Sequence, residues 1–249
     1  MKITFLGTSH GCPSAERFCT SLLVQSGQNI YLIDAGAPIL DLLCRKGIKS
    51  DAIKAIFISH AHSDHSGGLC NFLSFANLRG KNRIATYLPH PALADLLSHS
   101  IEVCDLKPYD AERLPLILAQ EGVVYEDEAI RVTYIPTAHI PYSYAILVEG
   151  EGKRFLFTGD LSNGLAKNDF PAIAFHQPMD AIACEMAHFG AEEIRPCLEK
   201  LDVKQFWFTH VNRIEEKFPA IRALREEYSY QFILLKIMMR SCFEQGLIF

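Results

Sequence analysis

Ala55-Ile56-Phe57-Ile58-Ser59-His60-Ala61-His62-Ser63-Asp64-His65 is the stretch that decides how this chain is read. Residues 55 to 59 form an apolar, β-branched run with the length of a buried strand. The next six pack three imidazoles and a carboxylate into the place where that strand would end, at the rim of a sheet. If the backbone stays extended, His60, His62 and Asp64 share one side, because alternate residues of a strand face the same way. His65 then turns toward a second centre as a helix starting near Ser66 takes over. A solvated loop is the plainer reading, but ligand types clustered at this spacing are a specific metal signal.

Working outward, the chain has 249 residues, 49% of them hydrophobic, and a mean hydropathy of +0.09. That suits a soluble protein with one large α/β domain over residues 1–249 and a substantial core. No apolar run reaches the length of a membrane span, and Met1-Lys2-Ile3-Thr4-Phe5-Leu6 enters a strand rather than a signal peptide. The expected location is the cytoplasm, with no membrane partner. Eight cysteines without a C-x-x-C pair agree with a reducing compartment. Cys12 and Cys19 are the nearest to a structural metal pair, but no further cysteine lies close enough in sequence to complete one. A net charge of -5 argues against wrapping a polyanion. The dense basic cluster Arg79, Lys81 and Arg83 reads as a solvated turn, so extended nucleic-acid binding is not expected.

Strands are expected at Ile3–Leu6, Ser21–Gln25 and Asn29–Ile33, a meander that opens a mixed sheet. Asp34-Ala35-Gly36 ends it. A carboxylate at the tip of a buried strand needs a partner, so Asp34 either orients a metal-bound histidine or caps the helix that starts near Pro38. That helix runs from Pro38 to Lys46 and stops at Gly47. After the histidine cluster come a helix over Leu69–Phe75, a strand at Ile84–Leu88, a helix from Pro91 to about Ser100 and an irregular stretch to Gly122 broken by Pro108 and Pro115. His90 and His99 have no ligand neighbour in sequence and read as surface or core residues. The strand pattern restarts at Ile130–Ile135. A hairpin follows, Tyr142–Glu149 and Lys153–Thr158, around Gly150-Glu151-Gly152. A strand at Ala181–Ala183, a helix over Ala191–Leu201 and a strand at Gln205–Thr209 complete the reading, with two packed sheets and helices outside them.

Apolar strands end in metal-binding side chains at Ser59-His60, Ala138-His139, Gly159-Asp160 and Thr209-His210. The candidate ligands are His60, His62, Asp64, His65, His139, Asp160 and His210, more than one tetrahedral ion accepts. Imidazole with carboxylate suits zinc first, then manganese or iron. Two divalent ions use the set well: His60, His62 and His139 on one, Asp64, His65 and His210 on the other, and Asp160 bridging. A water between them would lose a proton near neutral pH and become the nucleophile.

With these residues in view, the sequence resembles the metallo-β-lactamase superfamily. Its H-x-H-x-D-H motif stands at His60 to His65, and the likeness extends through Gly7-Thr8, Leu32-Ile33-Asp34-Ala35-Gly36, His139, Gly159-Asp160 and Thr209-His210. The resemblance implies an αββα sandwich of two mixed β-sheets flanked by helices, with a dinuclear site at the edge of both sheets. Phe5-Leu6-Gly7-Thr8 and the aspartate bridge look like the phosphodiesterase branch, which includes ribonuclease Z and a compact cyclic-phosphate phosphodiesterase. In ribonuclease Z a tRNA-gripping arm is usually inserted between the third histidine site and the bridging aspartate. Here the 21 residues from His139 to Asp160 are filled by a hairpin. His188 stands 22 residues before His210, where that branch places a non-ligand histidine beside the scissile phosphate. The resemblance implies that His188 protonates the leaving oxygen or steadies the phosphoryl charge; the plainer reading is a buried histidine hydrogen-bonded near Glu185. The chain lacks the full cysteine-rich zinc loop of the compact enzyme.

The function expected is metal-dependent hydrolysis of a small cyclic or nucleotide-like phosphodiester, with Asp64 and His188 as catalytic residues and homodimer formation left open. The competing classes are hydrolysis of a carbonyl ester such as a lactone, thioester or β-lactam, a ribonuclease Z-type RNA endonuclease, and a redox or ligand-sensing metal protein.

Overall fold

The structure is a computed structural model that describes residues 1–12, 17–105, 107–228, 231–232 and 246–248. The chain forms two compact units, one built from Met1–Gln120 together with strand Gly246–Ile248, the other beginning at Glu121.

The first unit opens with the antiparallel meander β1 (Lys2–Gly7), β2 (Ser21–Ser26) and β3 (Asn29–Ile33). Helix α1 (Ile39–Arg45) then returns the chain so that β4 (Ile53–Phe57) lies parallel to β3. Helices α2 (Ser63–Ser66) and α3 (Leu69–Arg79) lead to β5 (Ala85–Leu88), and α4 (Pro91–Asp105) leads to β6 (Leu116–Leu118), both strands again parallel to their predecessor. The sheet order is Gly246–Ile248, β1, β2, β3, β4, β5, β6. Crossovers of one hand put the helices on one face. There Leu23, Leu32, Ile56 and Ile58 pack with Leu42, Leu43, Phe72, Leu73 and Ile101. The alternate residues Val24, Tyr31, Ile33, Ala55 and Phe57 are fully buried too, which is why the run from Ala55 to Ile58 is apolar at every position rather than alternating.

The second unit repeats the plan. β7 (Gly122–Glu126), β8 (Arg131–Pro136), β9 (Tyr144–Gly150) and β10 (Lys153–Phe157) form an antiparallel meander. At the β9–β10 turn Glu151 (φ 51°) and Gly152 (φ 68°) are both left-handed, the twist a two-residue hairpin requires. The short helix α5 (Ile173–His176), β11 (Met179–Glu185), α6 (Ala191–Leu198), β12 (Val203–Thr209), α7 (Ile214–Glu227) and β13 (Gln231–Phe232) follow, and β10 to β13 run parallel. Sheet order is β13, β12, β11, β10, β9, β8, β7. Leu147, Leu156, Ile182, Phe206 and Phe208 meet Ile194, Leu198, Ile221 and Leu224 of the helices.

Several boundaries differ from the sequence reading. β4 ends at Phe57, two residues early, although Ile58 still donates its N–H to Tyr87 O. α4 continues past Ser100 to Asp105 because buried Ile101 extends the apolar face and Asp105 is held by Ser74 and Asn77 of α3. The stretch read as irregular contains β6 and the start of β7. Both are short edge strands whose partly exposed residues lack strong alternation. β11 runs on to Glu185, and α6 stops at Leu198. Helix α7 lies beyond the last element that the sequence reading drew. Among the described residues no helix is long and apolar enough to cross a membrane.

Candidate metal centre

In the first unit the donors hang from the ends of β3 and β4. Asp34 follows β3 in a left-handed conformation, φ 54°, which turns its carboxylate inward. Oδ1 accepts the Ser59 N–H at 2.7 Å, and Oδ2 accepts the Ser59 hydroxyl at 2.9 Å and faces His65 Nδ1 at 2.6 Å. A carboxylate at Nδ1 keeps the proton there and leaves the Nε2 lone pair for a metal. Asp34 does not cap α1, which has no side-chain cap, and faces the ring of His65 instead.

The expectation that an extended backbone carries Asp64 is corrected. His62 is the last extended residue (ψ 146°), and Asp64 and His65 lie in the helical turn α2. Ser66 Oγ bonds the carbonyls of Ala61 and His62, both at 3.1 Å, and Ala35 N–H reaches His65 O at 2.6 Å, so this turn is pinned to the end of β3. Gly36 is needed there: a Cβ would meet Asp64 O at 2.4 Å. His60 Nε2 lies 3.0 Å from His62 Nδ1, and His65 Nε2 lies 3.7 Å from Asp64 Oδ2. His60 and His65 are buried and His62 is exposed.

In the second unit Asp160 follows β10 through Gly159, whose φ of 58° supplies the bend. Its Oδ2 is 3.3 Å from His210 Nε2, 3.7 Å from His139 Nε2 and 3.9 Å from His188 Nδ1. His210 ends β12 in a left-handed conformation, φ 49°, as Asp34 ends β3. Asp169 ties the two approaches together, accepting Ala138 N–H at 2.8 Å and Ser162 N–H at 2.7 Å. Glu185, fully buried at the end of β11, accepts the N–H of Leu161 at 2.9 Å, of Ala187 at 2.6 Å and of His188 at 3.1 Å, and faces His188 Nδ1 at 2.8 Å. The plainer reading of His188 named this contact, but the ring is 24% exposed rather than buried.

Thus His60, His62, Asp64 and His65 gather in one unit, and His139, Asp160, His188 and His210 in the other. Leaving His188 aside, the closest donor pairs within each stand 3.0 to 3.7 Å apart, close to the edge of about 3.3 Å that bonds of about 2.0–2.1 Å give around a tetrahedral ion. Imidazole and carboxylate donors at this spacing fit zinc or a similar divalent metal. Burial, then the charge of Asp64, pushes the Cys19 thiol up, which leaves it a poor thiolate. Among the described residues neither Cys12 nor Cys19 joins a group of three or more potential ligands. His90 caps the first turn of α4, its Nδ1 accepting Ala92 N–H at 3.1 Å. Sequence reasoning missed Ser59, Asp169 and the Leu161 bond of Glu185. For Glu185 the signal was present, a carboxylate closing a buried strand as at Asp34.

Residues 1–203 match the family model described as Anti-Pycsar protein Apyc1. The chain belongs to that family. This Apyc1-family chain is also 33% identical over 161 residues to the ribonuclease Z of Gloeothece citriformis (strain PCC 7424), which covers 62% of the chain and 49% of the relative. It therefore spans about half the length of the curated relatives it matches. The metallo-β-lactamase fold protein YhfI from Bacillus subtilis superposes with a TM-score of 0.73 at 20% identity, covering 92% of this chain and 93% of that one. A diphosphatase of the PhnP family superposes with a TM-score of 0.69 at 19% identity, covering 100% and 97%. Apyc1-family membership thus comes with the metallo-β-lactamase fold, the αββα class expected from the His60 to His65 motif.

Proposed function

We propose that this chain is a dinuclear metal-dependent hydrolase of a small phosphodiester, cyclic or nucleotide-like. On this reading His60, His62 and His139 would hold one divalent ion and Asp64, His65 and His210 a second, with Asp160 as a further ligand. Zinc is the first candidate, and manganese or iron the alternatives. Such a pair supplies Lewis acidity toward phosphoryl oxygens and a water acidified to near-neutral pKa. The chain's own groups do the rest. Asp34 fixes the ring of His65. Glu185 accepts a hydrogen bond from His188 Nδ1–H and would compensate the charge of an imidazolium, so the Nε2 proton is the one available to a departing alkoxide.

One observation carries the reading: strand ends in both units deliver imidazole and carboxylate donors, with buried Asp34 backing His65 in one and buried Glu185 backing the neighbouring non-ligand His188 in the other. The β9–β10 hairpin with its two-residue turn occupies the interval between His139 and Asp160 with no added segment, which supports a small substrate. The net charge of -5 agrees with a small substrate rather than extended RNA. Identity to ribonuclease Z sequences favours a second reading, cleavage of an RNA phosphodiester.

A panel of cyclic nucleotides, bis-p-nitrophenyl phosphate, a precursor tRNA and a lactone tests both readings. Turnover of the small diesters with the precursor tRNA left intact is expected. Turnover of the lactone alone would reassign the site to carbonyl esters, whose chemistry the same metals support.

A further inference from the structure

Helix α7 holds a lysine whose position the metal site does not explain. Lys217 is half-buried, and its ammonium donates to three backbone carbonyls: Met186 O at 2.5 Å, Ala187 O at 3.2 Å and Phe189 O at 3.0 Å. An ammonium has three N–H donors, and all are spent on one four-residue loop. His188 sits inside that loop. We propose that Lys217 is a positioning residue that sets where the His188 ring stands, an inference that rests on the hydrolase reading for its consequence but not for its geometry.

The loop has no regular structure of its own, so its backbone groups must be satisfied from outside. Glu185 takes the N–H groups of Ala187 and His188. Thr209 O takes that of Met186, and Gly164 N–H bonds His188 O at 2.9 Å. Lys217 supplies the remaining carbonyl partners, so carboxylate and ammonium grip opposite sides of the same peptide groups. Charge-assisted bonds of this kind are about twice as strong as neutral ones. Burial lowers the lysine's proton affinity, and the nearby carboxylates of Glu185 and Glu193 work against that. The clamp also couples two parts of the site. α7 starts at Ile214, just after His210, so one helix anchors the approach to a ligand and the loop of its neighbour. The ring it places lies 4.6 Å from the His139 ring and 6.2 Å from the His210 ring, between centroids. A proton donor moved by about 1 Å loses much of its effect.

The test uses K217M, K217Q, H188A and the K217M/H188A double variant of the metal-loaded chain. One substrate is a cyclic nucleotide, whose alkoxide leaving group needs a proton, and the other is bis-p-nitrophenyl phosphate, whose phenolate does not. K217M is expected to lower kcat on the cyclic nucleotide about 10- to 100-fold with KM little changed, and to lower turnover of the aryl ester by at most about 3-fold. K217Q, which keeps donors, recovers part of the loss, and in the H188A background K217M has no further effect. Equal losses on both substrates, or additive losses in the double variant, overturn the proposal. Amide hydrogen exchange reads the clamp without turnover: Ala187 and His188 exchange faster in K217M. Unchanged exchange overturns the clamp. If the parent chain cleaves neither diester, the small-phosphodiester reading fails, and the exchange measurement still decides the geometry.

Discussion

His65 Nδ1 stands 2.6 Å from Asp34 Oδ2 with both side chains fully buried. This contact joins the end of one strand to the helical turn after the next. Its loss should be felt as metal affinity before it is felt as fold. Asp34→Asn keeps a side chain that tolerates the left-handed backbone at this position and can still accept one hydrogen bond. We expect it to weaken zinc binding about 10- to 100-fold, read by competition with a chromogenic chelator. Unaltered zinc affinity would show that the carboxylate plays no part in orienting the ring.

Asp64 is partly exposed in α2, and Gly11 lies near enough that a Cβ there would stand 3.4 Å from Asp64 Oδ2. Asp64→Ala removes a proposed ligand without opening the core. Phosphodiesterase activity should fall by more than about 100-fold while Tm changes by no more than a few degrees. Undiminished turnover in this variant refutes the assigned site.

Removing metal should also destabilise the chain, because ions that bind the folded form alone stabilise it by mass action. The protein purified without added metal is expected to carry about two divalent ions, counted by elemental analysis. Stripping them with a chelator should lower Tm by several degrees, and zinc or manganese should restore it. A Tm indifferent to metal would remove the cations from the folding equilibrium.

Away from the donors, Asp180 at the start of β11 provides a pH signature. Its Oδ1 accepts Lys204 Nζ at 2.7 Å and Lys153 Nζ at 3.3 Å, and its Oδ2 accepts Arg154 N–H at 3.0 Å. Burial pushes the carboxyl up, but these partners together push it further down, so its folded pKa is depressed. The stabilisation is therefore present above the unfolded value of about 3.9 and lost as pH falls through the folded one. Asp180→Asn should cost about 1 kcal/mol at pH 7, after allowance for solvent at the lysines. Denaturant titrations of both forms should converge in acid; a gap that persists at pH 2 would contradict this account.

Much of this was legible in the chain itself, and the reasons differ by element. The strand ends leading to His60 and His210 announce themselves as apolar runs, Ala55 to Ile58 and Phe206 to Phe208, because residues on both their faces are buried. α1 is marked by Pro38 before it and Gly47 after it, the latter at φ 69°. β6 and β7 were hidden because edge strands bury little and carry no strict alternation. The role of Asp34 needed coordinates, since a cap and a histidine orienter look the same in one dimension. Asp169 and Lys217 were beyond reach for a general reason: their partners are backbone groups, the Ala138 N–H and the carbonyls of the His188 loop lying more than two dozen residues away, and backbone leaves no mark in sequence.

The reversal at Glu151-Gly152 has a practical side. Both residues are exposed, and the length of β10 separates them from Asp160, about 3.3 Å for each residue of strand. A fluorophore, an affinity tag or a foreign loop spliced into that tip would ride on the molecule at arm's length from the donors, which makes it the natural handle for attaching this chain to a surface or a reporter.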